Sequence, residues 1–466
     1  MPRAAIQAAQ PPLRFLPPRS SALVRRLLVP LVPLVLRLRG LRRFQVEGLE
    51  ELTRLVAAQQ DGRCRLLIAF RHPSTTDPLV LAQLLWSEVP RCARRLGIPL
   101  AAPVHTRFLY DRGIPLWAGP LVGWLLSRLG GIPIRRGRLD RPALAAARAV
   151  LLEGPDPLTV APEGATNNLS GQMAPLESGV AQLAFWCTED LAARQRQAEV
   201  LVVPLGLDYS WCQQRWGAVD RRLERLERHL GLEPPQPESG TDAGTRHRRL
   251  EVLGERLLTA LETLYARRHD LAEDPEPAAA EREAGALPLA ERIQRVRQRA
   301  LAVAESLFGL PARGTVQERC RRIEQAGWDR IYREDLAGLS AVERSLVDWE
   351  AQEADLRMGH MRLVEYFSSV SGTYVAEAPC FDRFAEVVQM LEQAMAWIEA
   401  RPLPPRPGFG PRRVAVRLGP PLAVQERLAS YRRDRRQAVQ SLTEELSRTL
   451  TGLLRPDVAG AGEGGN

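Results

Sequence analysis

The chain is 466 residues long, 45% apolar and 26% charged, a globular composition with length enough for two or three hydrophobic cores. Its formal charge is +9, and every basic side chain other than histidine is arginine, a compositional bias to which no function attaches. Six cysteines (Cys64, Cys92, Cys187, Cys212, Cys320 and Cys380) form no C-x-x-C pair, which argues against a zinc site or a disulfide scaffold and fits core thiols in a reducing compartment.

Residues 1–50 hold nine arginines against Glu47 and Glu50. Such a basic end suits nucleic acid or an anionic membrane. The ten-residue apolar run from Leu27 to Leu36 decides for the membrane, because a nucleic-acid arm has no use for it. The run is well short of the ~20 residues needed to span a bilayer, and Pro30 and Pro33 interrupt a regular helix. No small-residue cleavage site follows; arginines do. Residues 1–43 therefore read as a basic, apolar arm, with 21–43 lying at the interface of an anionic phospholipid membrane. The plainer reading of the same run is a buried N-terminal helix.

Between 44 and 210, strand-like runs at 66–70, 131–135, 158–161 and 200–206 alternate with helical stretches near 78–87, 116–129, 141–152 and 178–187. That alternation predicts an α/β domain with a mixed, largely parallel sheet flanked by helices. Residues 211–411 differ. Stretches 233–245 and 270–287 are rich in proline, acidic and small residues and read as linkers. Around them, Leu250, Leu253, Leu257, Leu258, Leu261, Leu264 and Tyr265 paint one helix face, a second helix is expected at 381–398, and 401–411 is again proline-rich. Strand alternation returns at 412–422, followed by a long helix at 424–454 and a Gly-rich, disordered tail at 456–466. The simplest account is one α/β domain, 44–210 and 412–455, interrupted by a helical insertion large enough to fold as its own domain.

Chemistry concentrates at strand ends. His72 and Asp77 follow the run 66–70, and a carboxylate beside a histidine fixes its tautomer and makes the imidazole a usable general base. Five positions apart on a regular helix the two would diverge by about 140°, so the pair should straddle a strand-to-helix turn that Pro73 begins. Gly131, Ile134, Arg135 and Arg136 end a second strand with arginines suited to a phosphate. Pro162, Glu163 and Gly164 end a third, and Pro204 lies in a fourth.

In this order the set resembles the four sequence blocks of the glycerolipid acyltransferase family, typified by 1-acylglycerol-3-phosphate acyltransferase. His72, Ser74 and Asp77 match H-x-S-x-x-D; Gly131, Ile134 and Arg136 match G-x-x-x-I-x-R; Pro162, Glu163 and Gly164 match P-E-G; Pro204 matches the proline of the fourth block. The resemblance covers 44–209 and 413–455, not the insertion. One departure stands out: where the family usually reads Phe-Pro-Glu-Gly-Thr-Arg-Ser, this chain has Ala161-Pro162-Glu163-Gly164-Ala165-Thr166-Asn167-Asn168, without the arginine that helps bind phosphate in many members. Asparagine-bearing versions occur in relatives that acylate other lysolipids.

The resemblance implies transfer of a fatty acyl group from a thioester on coenzyme A or acyl carrier protein to the hydroxyl of 1-acylglycerol-3-phosphate, giving phosphatidic acid in phospholipid biosynthesis. His72 and Asp77 are expected to be catalytic. Ser74, Gly131, Arg135, Arg136, Glu163 and Gly164 are expected to meet the lysophospholipid. No cofactor, metal or nucleic acid is expected, and the protein is expected on the cytoplasmic face of the membrane, peripheral or monotopic. Residues 114–129, with Trp117 and Trp124, either line an acyl groove, lie on the bilayer, or pack in the core. The alternatives are another lysophospholipid or glycerol-3-phosphate as acceptor and, from a different class, a catalytically weak membrane scaffold using its insertion.

Overall fold

A computed structural model of the chain describes residues 6–101, 104–135, 140–233, 242–268, 288–367, 373–399, 401 and 409–454. It divides into two compact units: an α/β unit from Arg14–Gln213 and Gly410–Asp457, and a helical unit from Met1–Leu13 and Gln214–Phe409. The expected arm of residues 1–43 is thus split after Leu13. Main-chain bonds tie its first part into the helical unit: Gln10 N–H donates to Ile331 O at 2.7 Å, and Arg333 N–H to Gln10 O at 2.9 Å.

The α/β unit opens with helices α1 (Ala22–Leu28) and α2 (Leu31–Leu38), and these precede strand β1 (Leu41–Glu47). Pro30 caps α2 and Pro33 sits in its first turn, where a backbone N–H has no intrahelical partner to lose, so the prolines separate two short helices without breaking the second. Then come α3 (Leu49–Gln60), β2 (Cys64–Phe70), α4 (Asp77–Gln83), α5 (Val89–Leu96), β3 (Arg107–Asp111), α6 (Ile114–Ala118), α7 (Pro120–Arg128), β4 (Gly131–Ile134), α8 (Arg141–Glu153), β5 (Leu158–Val160), α9 (Gly179–Ala193) and β6 (Glu199–Trp211). The chain leaves this unit at Gln213 and returns at Gly410 with β7 (Arg412–Leu418) and β8 (Leu422–Ala423).

Seven strands run in the order β1-β7-β6-β2-β5-β3-β4, and β8 pairs with β6. All pairs are parallel except β6 with β7 and with β8. Central β2 is buried at every residue, as a parallel strand covered on both faces must be, and its apolar run is therefore continuous. The strand period of two sends Leu66, Ile68 and Phe70 to one face, with Leu52, Val56, Val203 and Leu205, and Leu67 and Ala69 to the other, with Ala147, Phe185, Val200 and Val202.

The helical unit contains α10 (Trp216–His229), α11 (Ala243–Arg268), α12 (Leu289–Phe308), α13 (Val316–Ile331), α14 (Ala341–Phe367), α15 (Tyr374–Glu377) and α16 (Phe381–Ile398). The stripe expected on α11 is its buried face: Leu250, Leu253, Leu257, Leu258, Leu261 and Tyr265 are all in the core, with Leu264 half-buried. Most of the expected linkers at 233–245 and 270–287, most of the proline-rich 401–411, and the tail at 456–466 lie outside the described residues.

After β8 the expected single helix at 424–454 is two, α17 (Leu428–Arg433) and α18 (Arg435–Gly452). Asp434 breaks them by turning extended and caps α18, accepting from Gln437 N–H at 2.9 Å. Leu442, Leu446 and Leu450 of α18 complete the core on the α9 side of the sheet, where the Tyr431 ring stacks on Phe185 with centroids 4.2 Å apart.

Candidate active site

Parallel pairing brings the C-terminal ends of β2, β5, β3 and β4 to one edge of the sheet, the edge at which α/β proteins hold their ligands. His72 leaves β2 there. Its Nδ1 lies 2.8 Å from Asp77 Oδ2, and its ring is 21% exposed while Asp77 is fully buried. Asp77 is the first residue of α4, so the pair does straddle a strand-to-helix turn. With Nδ1 turned to the carboxylate, Nε2 is the nitrogen left to accept a proton.

Three donors converge on Asp77. Besides the imidazole, Ser74 N–H donates to Oδ2 at 3.0 Å and the Tyr209 hydroxyl donates to Oδ1 at 2.5 Å. Burial first, and the neighbouring Asp77 charge second, hold the Tyr209 hydroxyl well above its usual pKa of 10, so it stays a donor. Ser74, expected to meet substrate, is buried; its N–H serves Asp77, and its Oγ accepts from Thr76 N–H at 3.2 Å.

Glu163 follows β5. It is buried, with both oxygens engaged: Oε1 accepts His72 N–H at 2.7 Å, and Oε2 accepts Ala174 N–H at 2.9 Å and Asn167 Nδ2 at 3.3 Å. It braces the histidine through the backbone N–H. Gly164 follows in a left-handed turn (φ 70°) that a side chain would strain, so its role is the turn itself. The departure at 165–168 has a structural counterpart: Asn167 Nδ2 also donates to Gln172 O at 2.6 Å, and its Oδ1 accepts Leu169 N–H at 3.1 Å.

Gly131 starts β4, where a Cβ would lie 2.7 Å from the Phe108 ring; close packing, not ligand contact, requires glycine. Arg135 follows β4, three strand spacings from β2, or about 14 Å. Its N–H donates to Asp140 Oδ2 at 2.8 Å, and Asp140 also pairs with Arg112 and caps α8. Arg136 lies outside the described residues.

Two residues escaped the sequence reading. Tyr209 lies on β6 beyond the expected strand end at 206, although Leu205, Leu207 and Tyr209 continue the apolar alternation that signals a longer strand. Arg71 is completely buried beside His72, and its guanidinium donates to Leu207 O (2.9 Å), Leu169 O (2.5 Å) and Gln172 O (2.8 Å). It pins the loop after Glu163 to β6, and its charge is met by Asp208 at 3.4 Å. An arginine ending an otherwise apolar run was the available signal.

Elsewhere in the unit, His105 is buried, takes the Trp86 indole N–H on Nδ1 at 3.1 Å and gives its Nε2 proton to Leu129 O at 2.7 Å, a structural arrangement. Burial pushes the thiols of Cys64 to about 11 and Cys187 to about 12, which makes them poor nucleophiles.

A buried carboxylate paired with a partly exposed histidine at the C-terminal edge of a mostly parallel sheet is an arrangement able to activate a hydroxyl. Residues 43–208, within the α/β unit, match the family model described as Acyltransferase, that of the glycerolipid acyltransferases. Searches of curated proteins and of solved structures give no significant match.

Proposed function

We infer that the protein works at a membrane surface, moving a fatty acyl group from a coenzyme A or acyl carrier protein thioester to the free hydroxyl of 1-acylglycerol-3-phosphate. The observation that carries this reading is the His72–Asp77 pair, 2.8 Å apart with the carboxylate buried and the imidazole partly exposed. Nε2 takes the hydroxyl proton as the acceptor oxygen attacks the thioester carbonyl. The new C–O bond creates a tetrahedral oxyanion; its collapse breaks the C–S bond, and the imidazolium returns the proton to the departing sulfur. Asp77 holds the tautomer and stabilises the imidazolium, while Ser74, Tyr209 and Glu163 act through these two as positioning residues. Direct transfer needs no acyl-enzyme, in keeping with thiols raised by burial.

Arg135, and Arg136 beside it in sequence, are the candidates for the acceptor phosphate. One observation favours a different lysophospholipid: Asn167 stands in the loop that usually offers an arginine, and its amide is spent on Glu163 and Gln172.

Membrane association is supported by the surface of the same unit. No described helix is long and apolar enough to cross a membrane, yet Leu23, Leu27, Leu31, Leu34 and Leu38 of α1 and α2 and Leu121 and Trp124 of α7 are exposed. Arginines stand among them, the composition of an interfacial surface. The segment before α1 joins the two sets, Arg19 N–H donating to Ser127 O at 2.9 Å and Ser21 N–H to Arg128 O at 2.8 Å.

The test is acyl transfer by purified protein in liposomes, offering several lysolipids and both donor types, with His72→Ala as the blank. Preference for 1-acylglycerol-3-phosphate is the expected result. Preference for another lysolipid would assign acceptor choice to residues 165–168. Transfer by His72→Ala at the wild-type rate would remove the general base and this mechanism with it.

A further inference from the structure

Helix α10 of the helical unit borders a cavity that the acyltransferase reading does not use. Its volume is about 530 Å3, within the range of about 300–1,000 Å3 usual for ligand sites. Four arginines line it: Arg215, Arg221, Arg222 and Arg225.

The helix divides into three arcs. Val219, Leu223 and Leu226 are buried, and Trp216 beside them meets Phe381 and Phe384 of α16 edge-on, which fixes the helix in place. Gly217, Ala218, Arg221, Arg222 and Arg225 occupy a second arc about 140° wide, the one that faces the cavity. Side chains on a helix lean toward its N-terminus. A Cβ added at Gly217 would stand 3.6 Å from Arg221 Nη1, so that guanidinium lies over the first turn. The first turn holds no acidic residue and has no side-chain cap, and its partial positive charge adds to that of the arginines.

These cations lack internal anions. The carboxylates of α10 lie on the third arc and are spent there, Asp220 on Arg246 at 2.8 Å, Glu227 on Arg249 at 2.8 Å and Glu224 on Arg228 at 3.3 Å. Of the arginines at the cavity, Arg222 lies over the Phe409 ring, 4.6 Å from its centroid, and pairs with Glu392 of α16 at 3.0 Å. Arg221 and Arg225, both exposed, make no hydrogen bond or ion pair among the described residues. Burial lowers the pKa of Arg222, Glu392 opposes that, and the charge of Arg225 lowers it again. Like charges three and four residues apart also weaken the helix itself. Guanidiniums spread over open surface would be satisfied by water, but these converge on one hollow.

We propose that this cavity binds a small, soluble molecule carrying two or more phosphate groups. The guanidinium fork matches phosphate oxygens, and two unpaired forks beside a third already held in place match more than one phosphate. At ~30 Å3 per water the cavity has room for roughly eighteen waters, more than a lone phosphate would displace. The cations cover only about 15 Å of helix, a span suited to a compact ligand and not to the backbone of a nucleic acid. None of the exposed large apolar side chains stands on α10 or α16, which favours a free ligand over a lipid headgroup. The inference rests on the helical unit alone and does not require the reaction proposed for the α/β unit.

The experiment is isothermal titration of the full chain with pyrophosphate at physiological ionic strength, followed by phosphate, citrate, tripolyphosphate and ATP. Pyrophosphate should bind about tenfold tighter than phosphate or more, and citrate no better than phosphate. Arg221→Gln combined with Arg225→Gln should weaken pyrophosphate about tenfold or more. The same variant should melt no lower than wild type, because it relieves like-charge repulsion, which separates a lost site from a misfolded unit. Pyrophosphate should raise the melting temperature of the wild type and not that of the double variant. Arg228→Gln removes a cation of the same helix that does not line the cavity, and should leave the affinity within about twofold.

ATP tighter than tripolyphosphate would support the proposal and name a nucleotide as the occupant; equal affinities would support it and name an inorganic polyphosphate. Pyrophosphate affinity unchanged in the double variant, or citrate bound as tightly as pyrophosphate, would overturn it. So would binding detected only to phosphoinositide vesicles or only to single-stranded RNA.

Discussion

Replacing Glu163 by glutamine separates two roles for this residue, contact with the acceptor and bracing of the histidine. In the native protein its oxygens accept His72 N–H, Ala174 N–H and the Asn167 amide. Glutamine has one acceptor oxygen. If that oxygen stays on His72, the new NH2 faces Ala174 N–H, donor against donor, while Asn167 keeps Gln172 O. Stranding one buried N–H costs about 1–3 kcal/mol, and exchanging a charged for a neutral acceptor at His72 costs about 1 kcal/mol more. A loss of about 2–4 kcal/mol follows, or about 4–16 °C in the melting temperature of a unit this size. Thermal melts followed by circular dichroism measure the loss, and initial rates over a range of acceptor concentrations divide any activity change between kcat and KM. Bracing predicts a lower melting temperature and a lower kcat with acceptor KM nearly constant. An unshifted melting temperature with KM alone raised would refute the reasoning and return Glu163 to the substrate.

Asp77→Asn should lower kcat by about 10²–10⁴-fold, the usual worth of an oriented general base, with less than a tenfold fall ruling out the dyad. Tyr209→Phe removes a bond to an ionised acceptor and should cost about 1.5–3 kcal/mol in urea denaturation; an unchanged midpoint would mean the hydroxyl does not bear on Asp77. Burial holds His105 down to about 4 from its usual 6.5, so the stability it contributes is complete above pH 6.5 and is lost as the pH falls toward 4, about 3 kcal/mol in all. Denaturation at a series of pH values should show that slope in the wild type and its loss in His105→Gln, and equal slopes would count against it. Changing the exposed Leu27, Leu34 and Leu121 together to glutamate should lower partition onto anionic liposomes about a thousandfold or more, at about 1.5–3 kcal/mol per leucine. Flotation equal to wild type would move the membrane contact elsewhere.

The elements that could be read from sequence are those whose signal is local. Strand β2 is a continuous apolar run because both its faces are covered, and helix α16 begins and ends where its pattern does. Strand β3 escaped because it has five residues with charged ends, Arg107 and Asp111, close to the sheet margin, where a strand needs little apolar content. The His72–Asp77 pair was legible because five residues separate its members. The partners of that pair were not: Glu163 reaches His72 across 91 positions and Tyr209 reaches Asp77 across 132. Nothing in a one-dimensional pattern states which strand ends become neighbours. The residue types were therefore legible, while the bonds that Ser74 and Glu163 make within the fold, and the packing at Gly131, depend on which elements become neighbours.

The junction between the two units has a topological consequence. Strands β6 and β7 are antiparallel neighbours, Trp211 opposite Arg412, and Cys212 N–H donates to Pro411 O at 2.8 Å. Seen from the sheet, the roughly 200 residues between them are the loop of one β-hairpin. Closing so long a loop from a disordered chain costs about 5 kcal/mol, yet the cost grows only logarithmically with length. A segment that folds with its own ends together removes most of that cost before the sheet assembles. The hairpin is then a socket: the pairing of its two strands fixes where the carried segment begins and ends.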